Sequence, residues 1–286
     1  MNNKLILGTA QFGMNYGIAN KNNIPNKNKI YEILNYAYLN NISSIDTASG
    51  YGNSENIIGN YLKEHANQNW NIITKNDNPK IALLDQIKDS KKKLNCTPNI
   101  FMSHSSQMFL SDRFQNEAIN LKKKLPIKIG VSLYNDKEIN SVLNMPFLPE
   151  VIQLPISALD TRLLKNDSLG KIKMHKIEIH ARSIFLQGLF FMPELYIKKH
   201  FNDAFYSLKM LEEISLKEGL SVSDLSLLWV NSLQEIDKII VGTEALSQLK
   251  SNISTLEKKC NKSAFNDLLN IKYENQEILN PQNWKL

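Results

Sequence analysis

Eight short, apolar, β-branched runs, each followed by a longer amphipathic stretch, constrain this chain more than any other feature. They are Leu5-Ile6-Leu7, 42–45, Asn71-Ile72-Ile73-Thr74, Ile100-Phe101-Met102, 127–131, Val151-Ile152, 177–179 and Ile239-Ile240-Val241. Strands this short and apolar on both faces suit a parallel sheet covered by helices. Between them, helical periodicity is plain: in the stretch 30–37 the apolar side chains recur at three- and four-residue spacing. Asn53-Ser54-Glu55 offers a cap and a first-turn acid for a helix through Ile57, Ile58 and Leu62. Ser221 or Ser223 can cap the helix of 222–233. Strand-then-helix alternation is the α/β pattern, and eight repeats without a glycine-rich dinucleotide fingerprint favour a closed (β/α)8 TIM barrel over an open sheet. The length of 286 residues is close to the roughly 250 typical of such a barrel. No Pro/Gly/Ser-rich linker divides it, so residues 1–286 read as a single domain.

Composition narrows the function classes. With 42% apolar and 22% charged residues the chain has the makings of an ordinary globular core. No run approaches the ~20 apolar residues that span a bilayer, and the start lacks the apolar region of a signal peptide. A cytoplasmic protein without a membrane partner is the expectation. Cys96 and Cys260 stand apart from any CxxC or Cys/His cluster, so neither a metal site nor a disulfide framework is expected. The formal charge of +6 comes from scattered lysines. The runs 91–93 and 122–124 fall at helix ends with no aromatic residues between them to stack bases, so nucleic acid is not an expected partner. A mild positive field suits a phosphate-bearing small molecule instead. The oligomeric state is left open.

In a barrel of this kind the active site lies at the carboxyl ends of the strands. The second run ends in Ile45-Asp46-Thr47-Ala48 with Tyr51-Gly52 just beyond, the third in Thr74-Lys75, and the fourth in Ser103-His104. An acid, a phenol, an amine and an imidazole thus share one mouth. Reduction of a carbonyl needs a hydride at carbon and a proton at oxygen, and these groups suit the second task. A free tyrosine has a pKa of ~10. A neighbouring ammonium lowers it, and a carboxylate keeps that ammonium charged and oriented. An imidazole beside the phenol can donate a hydrogen bond to the carbonyl oxygen. Tyr51 is therefore read as proton donor, Lys75 as its tuner, Asp46 as the anchor of Lys75, and His104 as the group that orients the carbonyl. The other histidines considered, His65, His175 and His200, lie in polar or helical surroundings and are read as surface residues.

Leu7-Gly8-Thr9-Ala10-Gln11-Phe12-Gly13, the stretch 46–55, Ile73-Thr74-Lys75 and His104 resemble, in order, the signature of the aldo-keto reductases. The resemblance implies that Asp46, Tyr51, Lys75 and His104 are the family's catalytic set. It also implies a nicotinamide cofactor, NADP(H) first and NAD(H) as the other one admitted. Its binding residues would include Gly8 and Thr9; Ser132, in Gly130-Val131-Ser132; and Gln153, which would meet the nicotinamide carboxamide. Arg182, Ser183, Leu186, Gln187 and Gly188 would lie by the pyrophosphate, and Gly242, Thr243, Gln248 and Asn252 by the adenosine. The chain departs from the pattern in places. Leu133 stands where an asparagine is common, and Arg182 where an aromatic residue stacks on the nicotinamide; a guanidinium there would repel the oxidised, cationic ring. Glu244 lies where many members hold the adenosine 2′-phosphate with a base, for which Lys250 could substitute from the next turn. The first strand begins near Lys4, leaving no amino-terminal hairpin to plug the barrel floor.

The resemblance implies a small-molecule aldehyde, ketone or sugar as substrate. Asn15, Tyr16, Asn20 and Asn22 in the first loop would suit a hydroxylated one, although loops are polar in any case. Two other readings stand beside it. One is a cofactor-binding regulatory or scaffold protein that keeps the fold with little catalysis. The other is a barrel isomerase or aldolase using Lys75 as a Schiff-base amine.

Overall fold

The computed structural model of the chain describes residues 4–20 and 24–284. Eight parallel strands close on themselves in chain order: β1 (Leu5–Gly8), β2 (Ser44–Asp46), β3 (Asn71–Asn76), β4 (Ile100–Ser103), β5 (Lys128–Ser132), β6 (Val151–Pro155), β7 (Glu178–Arg182) and β8 (Lys238–Gly242). Closure comes from β1, which pairs with β2 through Gly8 and Asp46 and with β8 through Gly8 and Gly242. All eight predicted runs are strands, and their ends move by at most three residues. The largest extensions are at the carboxyl ends of β6 and β7, where Gln153 and Arg182 are polar and only the neighbouring strand identifies them as strand residues.

Helices cover the barrel: α1 (Lys27–Leu39), α2 (Ser54–Glu64), α3 (Leu83–Leu94), α4 (Asp112–Lys122), α5 (Asp136–Leu143), α6 (Ser168–Met174), α7 (Phe205–Lys217), α8 (Val222–Ser232), α9 (Leu246–Thr255) and α10 (Lys262–Leu269). In α1 the predicted stripe is the buried one, Ile30, Ile33, Leu34 and Ala37, and Asn26 accepts from the Lys29 amide to start it. Ser221, not Ser223, caps α8, in a reciprocal box with Asp224. Asn53 occupies the cap position of α2 without capping it; its side chain instead accepts from Asn56. Glu55 is buried and accepts a hydrogen bond of 2.7 Å from Thr74 Oγ1. That contact ties α2 to β3, directly behind the expected site.

The period-two pleat divides each strand's side chains between two cores. Leu5, Leu7, Ile45, Ile72, Phe101, Ile129, Ile152, Ile179 and Ile239 face the helices in one large cluster. Ile6, Ile73, Ile100, Met102 and Val151, with Ile240 packed on them, fill the barrel itself. Asp46, Lys75, Gln153 and Arg182 continue the inward-facing set at its upper end, so the same alternation that packs the barrel aims the polar residues at its mouth. His180 also belongs to this inner set and was not singled out in the sequence. It is buried, and its Nε2 lies 3.0 Å from Glu178 Oε1. That hydrogen bond, backed by Lys128, holds the Glu178 carboxyl down to about 2. Among the described residues no strand precedes β1, and Lys4, Glu178, Asp237 and Lys238 line the barrel floor.

Candidate active site

Lys75 is 1% exposed, and its Nζ donates to Asp46 Oδ1 and, over 2.9 Å, to the Thr47 carbonyl. The other Asp46 oxygen accepts from Gln153 Nε2 at 2.5 Å. A buried lysine and aspartate have thus each been given a partner for their charge, the condition for keeping them ionised out of water. The ammonium lies 5.3 Å from the centroid of the Tyr51 ring. The His104 ring lies 5.9 Å from that of Tyr51 in an edge-to-face arrangement at 76°. The four residues come from the ends of three adjacent strands and are brought together as the sequence predicts. The Tyr51 hydroxyl makes no hydrogen bond among the described residues and faces a cleft of about 390 Å³.

The electrostatics differ from the expectation in one respect. Lys75 does not draw the Tyr51 phenol down. Burial pushes it above its ordinary value, the Asp46 carboxylate pushes the same way, and the opposing cation is Arg182. The dryness of the pocket is the largest cause, and it outweighs the one cation that opposes it. Burial likewise drives the Lys75 amine down, against the pull of Asp46. His104 is pushed to about 4, by burial first and then by Lys75 and Arg182. Its imidazole is neutral near pH 7 and can donate one hydrogen bond.

Two glycines fix the position of Tyr51. A Cβ on Gly13 would lie 1.9 Å from the Tyr51 carbonyl oxygen, and one on Gly52 would lie 2.2 Å from the Gly13 carbonyl. Both contacts are backbone to backbone and cannot relax by rotamer change. Gly52 also has φ +53°, a region that suits glycine. Gly13→Ala is expected to push the 48–54 loop out of register and lower kcat/KM by roughly 10²-fold, since misplacement by about 1 Å costs that much. A kinetic comparison with the wild type checks it, and unchanged kcat/KM would show that the loop has slack.

From Tyr51 the cleft runs across the mouth of β1, β7 and β8. Of the residues expected to hold a cofactor, Gly8, Thr9, Gln153, Arg182, Ser183, Gln187, Gly188, Gly242, Gln248 and Asn252 line it. Ser132, Leu186 and Thr243 do not. Ser132 stands behind Arg182, accepting from its Nε at 3.3 Å; Leu186 is in the core; Thr243 donates to the Ala245 carbonyl at 2.7 Å. Arg182 also donates to the Leu133 carbonyl at 3.2 Å and lies 4.2 Å from the Tyr134 ring centroid. Leu133 thus serves through its backbone. Lys250 does not reach the cleft: its Nζ lies over the Tyr36 ring of α1, 5.3 Å from the centroid.

Gln11, Phe185, Phe191, Ser223 and Ser251 line the cleft as well and were not assigned to it from the sequence. The order of residues along the chain gives little sign of them, because they reach the cleft through loop folding. Tyr16 and Asn20 line it, Asn15 is exposed and does not, and Asn22 lies outside the described residues. The first loop is stitched to the loop after β7: Gln187 donates to the Tyr16 hydroxyl at 3.0 Å, and the Ile18 amide donates to the Gln187 carbonyl at 3.0 Å. Ser183, Leu186 and Gln187 there all have positive φ. Such backbone is held at a cost and turns successive amides in unusual directions.

The buried Oε1 of Gln153 has no hydrogen-bond partner, and neither has that of Gln11. Buried acceptors are rarely left so in a folded protein, and both residues line the cleft. A ligand carrying N–H or O–H donors, such as a carboxamide, fits that arrangement.

A profile of the aldo/keto reductase family matches residues 4–272. The chain belongs to that family. It is an oxidoreductase enzyme by that membership, with the family's barrel. Solved structures agree on the fold of this aldo/keto reductase. The aldo-keto reductase AKR11C1 from Bacillus halodurans, in its holo form, is 19% identical with a TM-score of 0.77, covering 96% of this chain and 95% of that one. The thermostable aldo-keto reductase Tm1743, solved with the inhibitor epalrestat, is 18% identical with a TM-score of 0.74, covering 94% and 95%. A search of curated proteins finds no match. No helix among the described residues is long and apolar enough to cross a membrane, and they contain no cluster of three potential metal ligands.

Proposed function

We propose that this aldo/keto reductase interconverts an aldehyde, ketone or sugar carbonyl with its alcohol, using NAD(P)(H) and Tyr51 as the proton donor. The observation that carries the reading is the buried Asp46–Lys75 pair beside Tyr51, whose hydroxyl is uncommitted at the end of the cleft. Gln153 would hold the nicotinamide through its unpartnered Oε1 while its Nε2 stays on Asp46. A bound nicotinamide supplies the hydride for the carbonyl carbon. Tyr51 gives its phenolic proton to the oxygen as alkoxide charge develops there. A raised pKa keeps the phenol protonated until then, and an alkoxide is basic enough to take the proton. His104, neutral, donates a hydrogen bond to the same oxygen and fixes the angle of approach. Lys75 and Asp46 hold the floor under the ring; their contribution is orientation and a fixed local field.

Lys75 is a poor candidate for a Schiff base, because its amine does not line the cleft and is committed to Asp46 and Thr47. The test is incubation of the purified protein with NADH or NADPH and a panel of aldehydes, ketones and aldoses, following loss of the reduced nicotinamide. Turnover is expected, and activity on aldoses would support a role for the polar first loop. Nucleotide binding without turnover of any carbonyl would support the regulatory alternative. The pH profile is a second readout. His104 is depressed from 6.5 to about 4, so its neutral form persists well below the usual histidine range. Its contribution to stability is complete above pH ~6.5 and is lost as pH falls through about 4. The acid limb of kcat/KM is therefore expected near pH 4, and an inflection near 6.5 would count against a buried neutral imidazole.

A further inference from the structure

We infer that Ser54 is a positioning residue for the proton transfer, its buried hydroxyl pinning the base of the loop that carries Tyr51. The inference rests on the reading of Tyr51 as the proton donor. Ser54 is the first residue of α2, Thr9 follows β1 and Thr47 follows β2; all three are fully buried. Their hydroxyls form one chain. Thr47 Oγ1 donates to Ser54 Oγ at 3.1 Å, Ser54 Oγ to Thr9 Oγ1 at 3.0 Å, and Thr9 Oγ1 to the Asp46 carbonyl at 2.9 Å. The Thr9 carbonyl also lies 3.0 Å from Ser54 Oγ. Each hydroxyl has one proton to give, and the chain spends each of them once. Its direction therefore runs from Thr47 through Ser54 to the backbone of Asp46.

Tyr51 lies within the stretch that this chain closes. The Tyr51 amide donates to the Ala48 carbonyl and the Ser54 amide to the Tyr51 carbonyl, each at 3.0 Å, while the Ser49 amide donates to the Lys75 carbonyl at 2.9 Å. These backbone bonds shape the loop; the Ser54 hydroxyl ties its far end to the ends of β1 and β2. The chain also ends on the residues that hold the ammonium, because the Asp46 carboxylate and the Thr47 carbonyl both accept from Lys75 Nζ. One buried hydroxyl thus refers the phenol's loop to the floor beneath the phenol. Helix formation does not explain the serine, since the cap position of α2 belongs to Asn53. Alanine at this position would leave the Thr47 hydroxyl without its acceptor and Thr9 Oγ1 without its donor, at a depth where water does not replace them. The loop would then settle in a slightly different place.

The experiment is a double-mutant cycle on the full chain: wild type, Ser54→Ala, Tyr51→Phe and the two together. Each is assayed for kcat and KM with the carbonyl of the panel above that the wild type reduces fastest, and for nucleotide affinity by fluorescence titration. Ser54→Ala is expected to lower kcat about tenfold, less than the ~10² that a misplacement of about 1 Å costs, with nucleotide affinity within a few-fold. In the Tyr51→Phe background the same substitution is expected to cost almost nothing further, because the group it positions is gone. An unchanged kcat in Ser54→Ala overturns the inference. So does a loss repeated in full in the Tyr51→Phe background, which is what a generally loosened barrel would give. If Ser54→Ala does not fold, Ser54→Cys, which keeps the shape with a weak S–H donor and acceptor, runs the same cycle and is read by the same two outcomes. Near-normal turnover by Tyr51→Phe, or no turnover of any carbonyl by the wild type, removes the proton-donor reading beneath the inference and is distinct from either result.

Discussion

Tyr51→Phe is expected to lower carbonyl turnover by roughly 10²- to 10⁴-fold, the usual contribution of a positioned general acid. Because the Tyr51 hydroxyl has no hydrogen-bond partner among the described residues, deleting it strands no protein group, and thermal stability should barely move. Nucleotide affinity should stay within a few-fold, because the proton is passed to the substrate and the missing interaction matters in the transition state. Steady-state kinetics and nucleotide titration on the same preparation separate these effects. Near-normal turnover in the variant would remove Tyr51 as proton donor. The direction of the phenol's shift adds an asymmetry. Burial and Asp46 raise its pKa, which favours the protonated form needed for reduction. Oxidation of an alcohol needs the phenolate, so the reverse reaction is expected to gain steadily as pH rises.

Lys75→Met should be damaging in two ways. It removes the cation that Asp46 accepts from, leaving a carboxylate that is 3% exposed with only Gln153 as partner. Breaking a buried pair from one side costs about 3–5 kcal/mol, which for a chain of this size corresponds to a fall in Tm on the order of 10 °C. Turnover should fall as well, because an unpaired Asp46 would raise the phenol further and the ring would lose the group packed beneath it. Asp46→Asn with Lys75→Met discards both charges and should recover much of the Tm without recovering turnover. Differential scanning calorimetry beside kinetics reads both quantities. A wild-type Tm in the single variant would mean that Asp46 has taken up a proton or another partner, and the pair would not be the structural unit described. Raising the pH is not expected to rescue Lys75→Met. A tuner acting only on the phenol would be rescued, but the phenol's pocket is governed by burial.

Much of this was legible along the chain. The eight runs locate the strands because a parallel strand covered by helices is apolar on both faces, and this leaves a local mark. Asp46, Lys75 and His104 were visible because each follows such a run. Lys75 also shares the parity of Ile73, two places before it on β3, which fills the barrel. The capping of α2 was misread because Asn53 is the right residue type in the right place; only the packed structure shows its side chain turned to Asn56. His180 was passed over because its neighbours in sequence, Ile179 and Ala181, face the helices, while its own partner Glu178 looks like an ordinary strand-end acid. Lys250 has the right charge and spacing to reach the cleft, but Tyr36 of α1 offers its side chain a surface on the other side.

By itself, the sequence determined the alternation of strand and helix and which groups follow the strands at the mouth, while the sorting of strand residues between the two cores came from the packed barrel. The first two follow from periodicity and position, which are carried by residues a few places apart. The tertiary structure alone decided which charges face each other and how far each is from water. Gln153 meets Asp46 across 107 residues of chain, the first loop is tied to the loop after β7, and Arg182 rather than Lys75 is the cation that lowers the phenol. Burial and Coulomb energies are sums over distances in space, and closing the ring of eight strands is what sets those distances.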